Sequence, residues 1–479
     1  MSRMVPPAGR AALGLLPLFL LGAGGGASSG EGDGGVAGET GTVVALVLFV
    51  GFAYLLADVV VDRLQRRFLV LSGVEYLLLG ALLGPVLGDP LGVALLEDFR
   101  PLVPLAALAA GWFGLLRGLD SDLRRVQRRR QTGALRIAAV ETAASGVATA
   151  VLAWLALRPG GPLARGLYGL ADPVDGLDRW ATVAAAVFLG ACAATASTEP
   201  LMVLRRRYDL GRNISPMVRR TAHLSEIFAI VTTGLFVCAV HPSGGRDLRP
   251  TEWAVISIGL GIVLGFLFRP FVGEGQSEGR RFLALVGVIT FASGASLFLR
   301  LSPLLVNLVL GAVLALSPRS RTQLRATLER TEGPMNLVLM VFAGALWRPP
   351  TLTGTAPWLL PALVGSAVLV FVAVRYLGKR LGDRLGTAGT SLPQDLHRGL
   401  LGQGSFTVAI AVLLRTYYEG PAVDWAYTII LGSFVCYSLV STRMLRGLLV
   451  DGRDIERDAL RSRPPPPRSP SSPVGAAGR

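Results

Sequence analysis

Apolar runs, each about as long as a bilayer is thick, follow one another along this chain. An α-helix needs about 20 predominantly apolar residues to cross the hydrocarbon core of a membrane, and runs near that length recur between residues 42 and 446. The composition agrees, with 51% hydrophobic residues, 16% charged residues and a mean hydropathy of +0.53. We therefore expect an all-α membrane protein.

Counting these runs predicts thirteen transmembrane helices. They lie at 42–61, 68–88, 101–118, 135–157, 180–204, 218–240, 252–271, 281–299, 301–317, 334–349, 356–377, 397–416 and 425–446.

The basic residues predict how these helices are oriented. If the N-terminus is outside, the inward-facing connections and the C-terminal segment hold 36 of the 47 Lys and Arg residues, and the outward connections hold 9. Basic residues collect in cytoplasmic loops, so we predict a multi-pass protein of the plasma (inner) membrane with a cytoplasmic C-terminus. The net charge of +15 then reflects this topology and does not indicate binding of nucleic acid.

Segments outside the membrane domain have their own signals. Residues 1–29 carry two Arg residues, an apolar stretch and then small residues, which predicts a signal peptide; an uncleaved first helix is the alternative. Residues 42–446 form the transmembrane domain, and residues 451–479, rich in Pro, Ser and Arg, are expected to be a disordered cytoplasmic tail. The three widely spaced Cys residues indicate neither disulfides nor zinc, and the chain carries no GxSxG or HExxH enzyme motif.

Two glutamates lie at one depth inside predicted spans. A carboxylate in the hydrocarbon costs roughly 2.5–3.5 kcal/mol, so its presence there needs a reason. Glu199 and Glu226 are each six residues from an Arg at the same inner boundary, which places both ~9 Å into the membrane. The alternative is a structural pair locked to an Arg elsewhere in the bundle. For the other intramembrane acids we expect interfacial or helix-pairing roles: Asp58, Glu75 and Glu141.

Two predicted spans contain helix-breaking residues. Pro200 has no amide hydrogen and disfavours helix at the preceding residue, so the fifth span should break at Thr198–Glu199 and expose carbonyls that can bind a cation. In the twelfth span Gly402 and Gly404 loosen the helix around Gln403. The two spans run in opposite directions, which indicates inverted repeats with two broken crossing helices, as in secondary transporters. Gly-rich helix packing is the alternative explanation for the glycines.

Further apolar and Gly-rich motifs occur along the chain. They read EYLLLGALLGP (75–85), GWFGLLRGLDSDLRRV (111–126), SPLLVNLVLGAVLA (302–315), VFAGALW (341–347) and HRGLLGQGSF (397–406). At these segments the chain resembles the monovalent cation:proton antiporter family, the sodium/hydrogen exchanger-like transporters. The resemblance implies exchange of Na⁺ or K⁺ for protons by alternating access, no cofactor, and a homodimer.

The resemblance also implies a site. In that family an acid after Asn, Asp or Gln, on the helix following the first broken span, carries the ion or proton, and here Ser225-Glu226 stands in its place. The broken span often carries Thr-Asp-Pro or Thr-Ser-Pro, and here it reads Thr198-Glu199-Pro200. We therefore expect Glu226 and Glu199 to bind the ion or proton, with Thr198 and Ser225 as oxygen ligands. Both acids are one methylene longer than the family habit.

Two basic side chains are candidate partners of the two acids. Electrogenic members often carry a Lys on a late helix, but the sole Lys of this chain, Lys379, falls in a predicted inner loop. Arg398 is therefore expected to supply the counter-charge. His223, one turn from Glu226, is expected to tune the pH response, with a purely structural His as the alternative.

The same acids fit two other kinds of protein. One is a gated cation channel, and the other is a membrane sensor or scaffold that kept the fold but does not transport. The choice of Na⁺ or K⁺, the proton stoichiometry and the electrogenicity stay open at this point.

Overall fold

The computed structural model describes residues 73–82, 103–121, 129–158, 176–208, 210–211, 213–241, 248–271, 278–350, 357–388 and 395–455. Within these ranges all regular secondary structure is helical. The predicted signal peptide (1–29), the first predicted span (42–61) and the tail beyond residue 455 lie outside them.

The described helices are numbered here in chain order. They are α1 (Val74–Ala81), α2 (Val103–Asp120), α3 (Arg129–Leu157), α4 (Gly176–Ala194), α5 (Glu199–Arg207), α6 (Ser215–Ala239), α7 (Pro250–Phe268), α8 (Glu278–Phe298), α9 (Pro303–Leu314), α10 (Pro318–Ala345), α11 (Leu360–Thr387), α12 (Ser405–Tyr417) and α13 (Pro421–Asp451), with short 3₁₀ helices at Pro357–Leu359 and Leu396–Gly399.

The length and composition of these helices fit a multi-pass membrane protein. In the described part of the chain, seven helical stretches are long and apolar enough to cross a bilayer: Gly133–Leu157, Arg179–Arg205, Ser215–Ala239, Pro250–Phe268, Gly279–Phe298, Leu360–Thr387 and Pro421–Asp451. Large apolar side chains such as Val255 and Val263 on α7 are exposed, as lipid-facing residues are. The total of thirteen spans stays a prediction.

Two helices extend well beyond the predicted spans. Helix α10 begins at Pro318, where 334 was predicted, and α11 continues to Thr387, where 377 was predicted. The placement of Lys379 in an inner loop is therefore wrong. A hydropathy window ends where charges begin, but Arg and Lys are good helix formers, and on α11 both Arg375 and Lys379 are buried in the bundle.

Small residues bring specific helices close together. A Cβ atom at Gly118 of α2 would lie 2.2 Å from the Leu308 carbonyl oxygen of α9, so only glycine allows this approach. A Cβ at Gly382 of α11 would lie 2.5 Å from the Glu141 Cα of α3. The second contact places the charged face of α11 against Glu141.

Two helical segments are interrupted, and the interruptions meet. Helix α4 ends at Ala194 and α5 begins at Glu199, with Pro200 in its first turn. The other interruption, residues 400–404, separates the 3₁₀ helix Leu396–Gly399 from α12. The Ser197 amide donates to the Gly402 carbonyl at 2.9 Å, and Thr195 Oγ1 lies 2.8 Å from Thr407 Oγ1.

Candidate functional site

Arg375 of α11 donates hydrogen bonds to carbonyl groups at both interruptions. Its guanidinium donates to the carbonyl oxygens of Ala193 (3.0 Å), Thr195 (2.8 Å), Leu401 (2.6 Å) and Gly402 (3.4 Å). A fork of five N–H donors suits such a cluster, and a cation is favourable at the C-terminal end of α4. The sequence predicted free carbonyls for a transported cation at the break, whereas these four accept from Arg375.

Glu199 lies where the two interruptions meet. Its Oε1 accepts from the Ser405 amide at 3.0 Å and lies 2.8 Å from Ser405 Oγ. Its Oε2 is buried and has no hydrogen-bond partner among the described residues. A buried acceptor without a partner is costly, so this oxygen is a natural position for a proton or a cation.

Ser405 stands between two acceptors. Its Oγ lies 2.8 Å from Glu199 Oε1 and 2.7 Å from Asn336 Oδ1. A hydroxyl has a single hydrogen to donate. Either a protonated Glu199 donates to Ser405 or the Asn336 amide is turned the other way, because one hydrogen cannot satisfy both oxygens.

Glu226 of α6 forms an ion pair with Arg117 of α2. Arg117 Nε lies 2.5 Å from Glu226 Oε2, and the two residues are 5% and 1% exposed. The contact is not aligned as a hydrogen bond, so it acts through charge. Glu199 lies within electrostatic range of Glu226. The alternative of an acid locked to an Arg therefore describes the contact of Glu226, whereas Glu199 is held by Ser405.

The Arg117 side chain continues into a wider charge network. Asp120, one turn along α2, accepts from Arg117 Nη1 at 3.1 Å and pairs with Arg325 of α10 at 2.8 Å. His223 Nδ1 lies 2.5 Å from Arg117 Nη1. Since a guanidinium can only donate, His223 is a neutral acceptor in this arrangement. His223 thus contacts the cation that faces Glu226.

A second buried ion pair joins α3 and α11. Lys379 Nζ donates to Glu141 Oε1, and neither side chain is exposed. Lys379 also lies 3.3 Å from the Ala194 carbonyl oxygen at the end of α4. Of the interfacial and helix-pairing roles expected for Glu141, the structure shows the pairing of helices. Sequence reasoning treated Lys379 as a loop residue and missed this pair.

The other predicted ligands lie around the same interruptions. Thr198 is buried directly before α5. Ser225 Oγ donates to the Thr221 carbonyl at 3.1 Å and lies 3.5 Å from Glu141 Oε2. Ser225 thus faces the Glu141–Lys379 pair through its hydroxyl, next in sequence to Glu226.

The glycines of the later interruption have a steric role. A Cβ at Gly402 would lie 2.9 Å from Pro200 Cγ, and a Cβ at Gly404 would lie 2.7 Å from Glu199 Oε1. Gln403 is buried between them and accepts from Ser433 Oγ at 3.0 Å. Close approach of the two interruptions, as well as a loosened helix, therefore explains these residues.

Arg398 lies away from the two acids. Its side chain is 38% exposed and pairs with Asp395 at 3.3 Å and Asp451 at 3.5 Å. The cation beside Glu226 is Arg117, which lies at the end of the predicted span 101–118 and has no role assigned to it from the sequence. Its only sequence signal is the Arg117–Asp120 spacing of three residues, which places both side chains on one face of a helix.

Comparisons with known proteins place the chain in a family. The family described as sodium/hydrogen exchanger, transmembrane, matches residues 51–450. Comparison with curated proteins gives no match.

Two solved structures of the sodium proton antiporter MjNhaP1 from Methanocaldococcus jannaschii are similar in fold. One, at pH 8, has a TM-score of 0.55 and 16% sequence identity, with 85% of this chain and 98% of the antiporter covered. The other, an electron-microscopy structure, has a TM-score of 0.54 and 16% identity, with 87% and 97% covered. Together with the match over residues 51–450, these observations show that the chain belongs to the transmembrane sodium/hydrogen exchanger family.

Proposed function

We propose that this protein exchanges a monovalent cation, Na⁺ or K⁺, for protons by alternating access, with Glu226 and Glu199 as the groups that bind them. The observation that carries the proposal is the pair of acids in the bundle, where Glu199 keeps one buried oxygen without a partner among the described residues. Membership of the sodium/hydrogen exchanger family supports it. The sodium proton antiport named for MjNhaP1 agrees with it.

The chemistry follows from competition for a carboxylate. An ionised Glu226 attracts a cation, and a protonated Glu226 does not, so one occupant excludes the other. A buried carboxylate without a compensating charge is costly. Exchange is therefore coupled if only a site occupied by a cation or a proton moves between the two sides of the membrane.

Oxygen ligands for the cation are available near the acids. Na⁺ and K⁺, like other hard cations, prefer oxygen, and we assign Thr198 and Ser225 as hydroxyl ligands beside Glu199 and Glu226. Because Arg375 takes four carbonyls of the interruptions, this assignment relies on side-chain oxygens more than on the backbone.

We further propose that the two interrupted segments are the crossing helices of an inverted repeat. The hydrogen bond from Ser197 to Gly402 supports this, since it joins the centres of the two interruptions. Half-helix ends at membrane depth are typical of binding sites in secondary transporters. Thirteen spans, an outside N-terminus and a homodimer belong to the same proposal.

The Arg117–Glu226 ion pair favours a second candidate function. An acid held by a buried guanidinium is typical of a structural lock, so a membrane scaffold that kept the exchanger fold without transporting is the alternative.

Everted membrane vesicles with an imposed proton gradient separate these functions. We expect added Na⁺ or K⁺ to dissipate the gradient, with Glu226→Gln abolishing the response and Glu199→Gln weakening it. A cation flux that follows the membrane voltage and moves no protons indicates a channel, and the absence of any response to either cation indicates the scaffold. Full activity of Glu226→Gln would contradict the proposed site.

A further inference from the structure

Arg117 occupies the position at Glu226 that a bound cation would need. Its Nε lies 2.5 Å from Glu226 Oε2, a distance at which no second cation fits between the two atoms. Both side chains are almost fully buried. The guanidinium and a transported ion therefore cannot neutralise this oxygen together.

Arg117 is held at this position by partners from three helices. Asp120 of its own helix accepts at 3.1 Å, His223 Nδ1 of α6 lies at 2.5 Å, and its Cζ lies 4.2 Å from the centre of the Phe406 ring of α12. Each contact favours the charged guanidinium at this place. Arg117 is thus preorganised as a counter-charge for Glu226.

The ion pair joins helices that pack mainly against different neighbours. Helix α2, which carries Arg117, has its most extensive contacts with α9, and α6, which carries Glu226, has its most extensive contacts with α3 and α4. Direct contacts between α2 and α6 are few. An ion pair across such a boundary forms in one relative position of the helices and is lost in another.

We propose that Arg117 is a built-in competitor of the transported ion, which neutralises the unloaded Glu226 and must leave before Na⁺, K⁺ or a proton binds there. This inference rests on the proposed exchange at Glu226. Two consequences follow. First, the apparent cation affinity equals the intrinsic affinity multiplied by the fraction of molecules in which Glu226 is free of Arg117. Second, the unloaded carboxylate stays paired with α2 until an ion replaces the guanidinium.

The other charged groups nearby support the competition. Glu199, Asp120 and Glu332 lie within electrostatic range of Glu226, and Arg325 and Arg219 lie within range of His223. Arg117 is the base among these principal charged neighbours of Glu226, so moving it away leaves Glu199, Asp120 and Glu332, whose negative charge attracts a cation or proton. Asp120 keeps its contact with Arg325 at 2.8 Å, so it does not need Arg117.

The first test compares apparent KM and maximum rate in proteoliposomes of the purified full-length protein. Arg117→Gln removes the competitor, so at an alkaline pH at which Glu226 is ionised in both proteins we expect the apparent KM for Na⁺ or K⁺ to fall about tenfold. Arg117→Lys keeps a charge that is shorter and more strongly hydrated, so we expect an intermediate KM. Arg415→Gln is the matched control, because Arg415 is a buried Arg paired with Asp424 at 2.8 Å, and its KM should stay unchanged.

The second test measures protons released when Na⁺ or K⁺ is added to purified protein in weakly buffered detergent with a pH dye. In the wild type the cation replaces a guanidinium, so few protons leave Glu226. In Arg117→Gln the buried carboxylate has lost its counter-charge and favours the protonated form, so more protons should be released per bound cation.

Unchanged KM and unchanged proton release in a folded Arg117→Gln protein would overturn the competitor. If Arg117→Gln does not fold, Arg117→Lys decides in the same way, since an unchanged KM and proton release then assign Arg117 a purely structural role. If the wild type exchanges cations for protons and the Arg117 variants have the wild-type KM and proton release, Arg117 is not a competitor, and the proposed exchange still holds. If proton release differs between the wild type and Arg117→Gln as predicted, but added cation moves no protons in vesicles, the proposed exchange is refuted. Arg117 then still competes with a cation for Glu226.

Discussion

The Glu141–Lys379 pair has both charges fully inside the bundle. Removing two ions from water is expensive, and their attraction offsets this cost only while both are present. Among the described residues Lys379 also contacts the Ala194 carbonyl oxygen at 3.3 Å, which does not neutralise it. The pair therefore tightens the contact of α3 with α11 only as long as the carboxylate remains.

We expect Glu141→Gln to destabilise the protein by roughly 3–5 kcal/mol, because it leaves the Lys379 ammonium buried without a counter-charge. The double variant Glu141→Gln, Lys379→Met should recover part of the loss. The midpoint of thermal unfolding, followed by gel filtration of the heated protein in detergent, measures both. Glu419→Gln, at an exposed position, is the control, and a wild-type midpoint for Glu141→Gln would contradict the argument.

Candidate site residues could be chosen from the sequence where an acidic side chain falls well inside an apolar run. Counting from the nearest Arg predicts one depth for Glu199 and Glu226, because helix rise is constant, and the two acids lie within electrostatic range of each other. The buried contacts of Arg117 and Lys379 could not be predicted, because basic residues near the end of an apolar run are expected at the membrane boundary. Only the partner reveals such a residue, and Glu226 is more than 100 residues from Arg117 along the chain.

Among the elements, the first interruption was readable from Pro200, whereas the second depends on packing. Pro200 lies in the first turn of α5, where its missing amide hydrogen is not needed. Gly402 and Gly404 contact Pro200, Ser197 and Glu199 across the interface. The hydrogen bonds from Arg375 to both segments could not be predicted, since the sequence of one helix does not identify the segment against which it packs.

Helix packing at α2 and α9 gives a prediction of its own. A Cβ at Gly118 would lie 2.2 Å from the Leu308 carbonyl oxygen, so Gly118→Ala must push the two backbones apart. We expect a loss of about 1–3 kcal/mol, the usual cost of overpacking, seen as a lower unfolding midpoint. Gly287→Ala on α8 is the matched control, because no atom lies within 4 Å of its added Cβ. Equal midpoints for the two variants would contradict the close contact.

At the scale of the whole molecule, the helical class and the family were predictable, and the arrangement of helices was not. Apolar runs of bilayer length leave an all-helical membrane protein as the simplest solution. Which helices touch depends on small residues and buried charges spread over the chain, such as Gly118 with Leu308 and Arg117 with Glu226. At 16% identity the MjNhaP1 structures share the fold.

Uphill cation uptake tests the proposed exchange most directly. Proteoliposomes of the full-length protein receive equal Na⁺, or equal K⁺, on both sides, an outward proton gradient and a membrane voltage held at zero. We expect the cation to accumulate inside until the proton gradient is spent, and a protonophore to abolish this accumulation. We expect none with Glu226→Gln, whereas Arg415→Gln still accumulates the cation. Accumulation by Glu226→Gln at the wild-type rate, or no accumulation by the wild type with either cation, would contradict the proposed exchange.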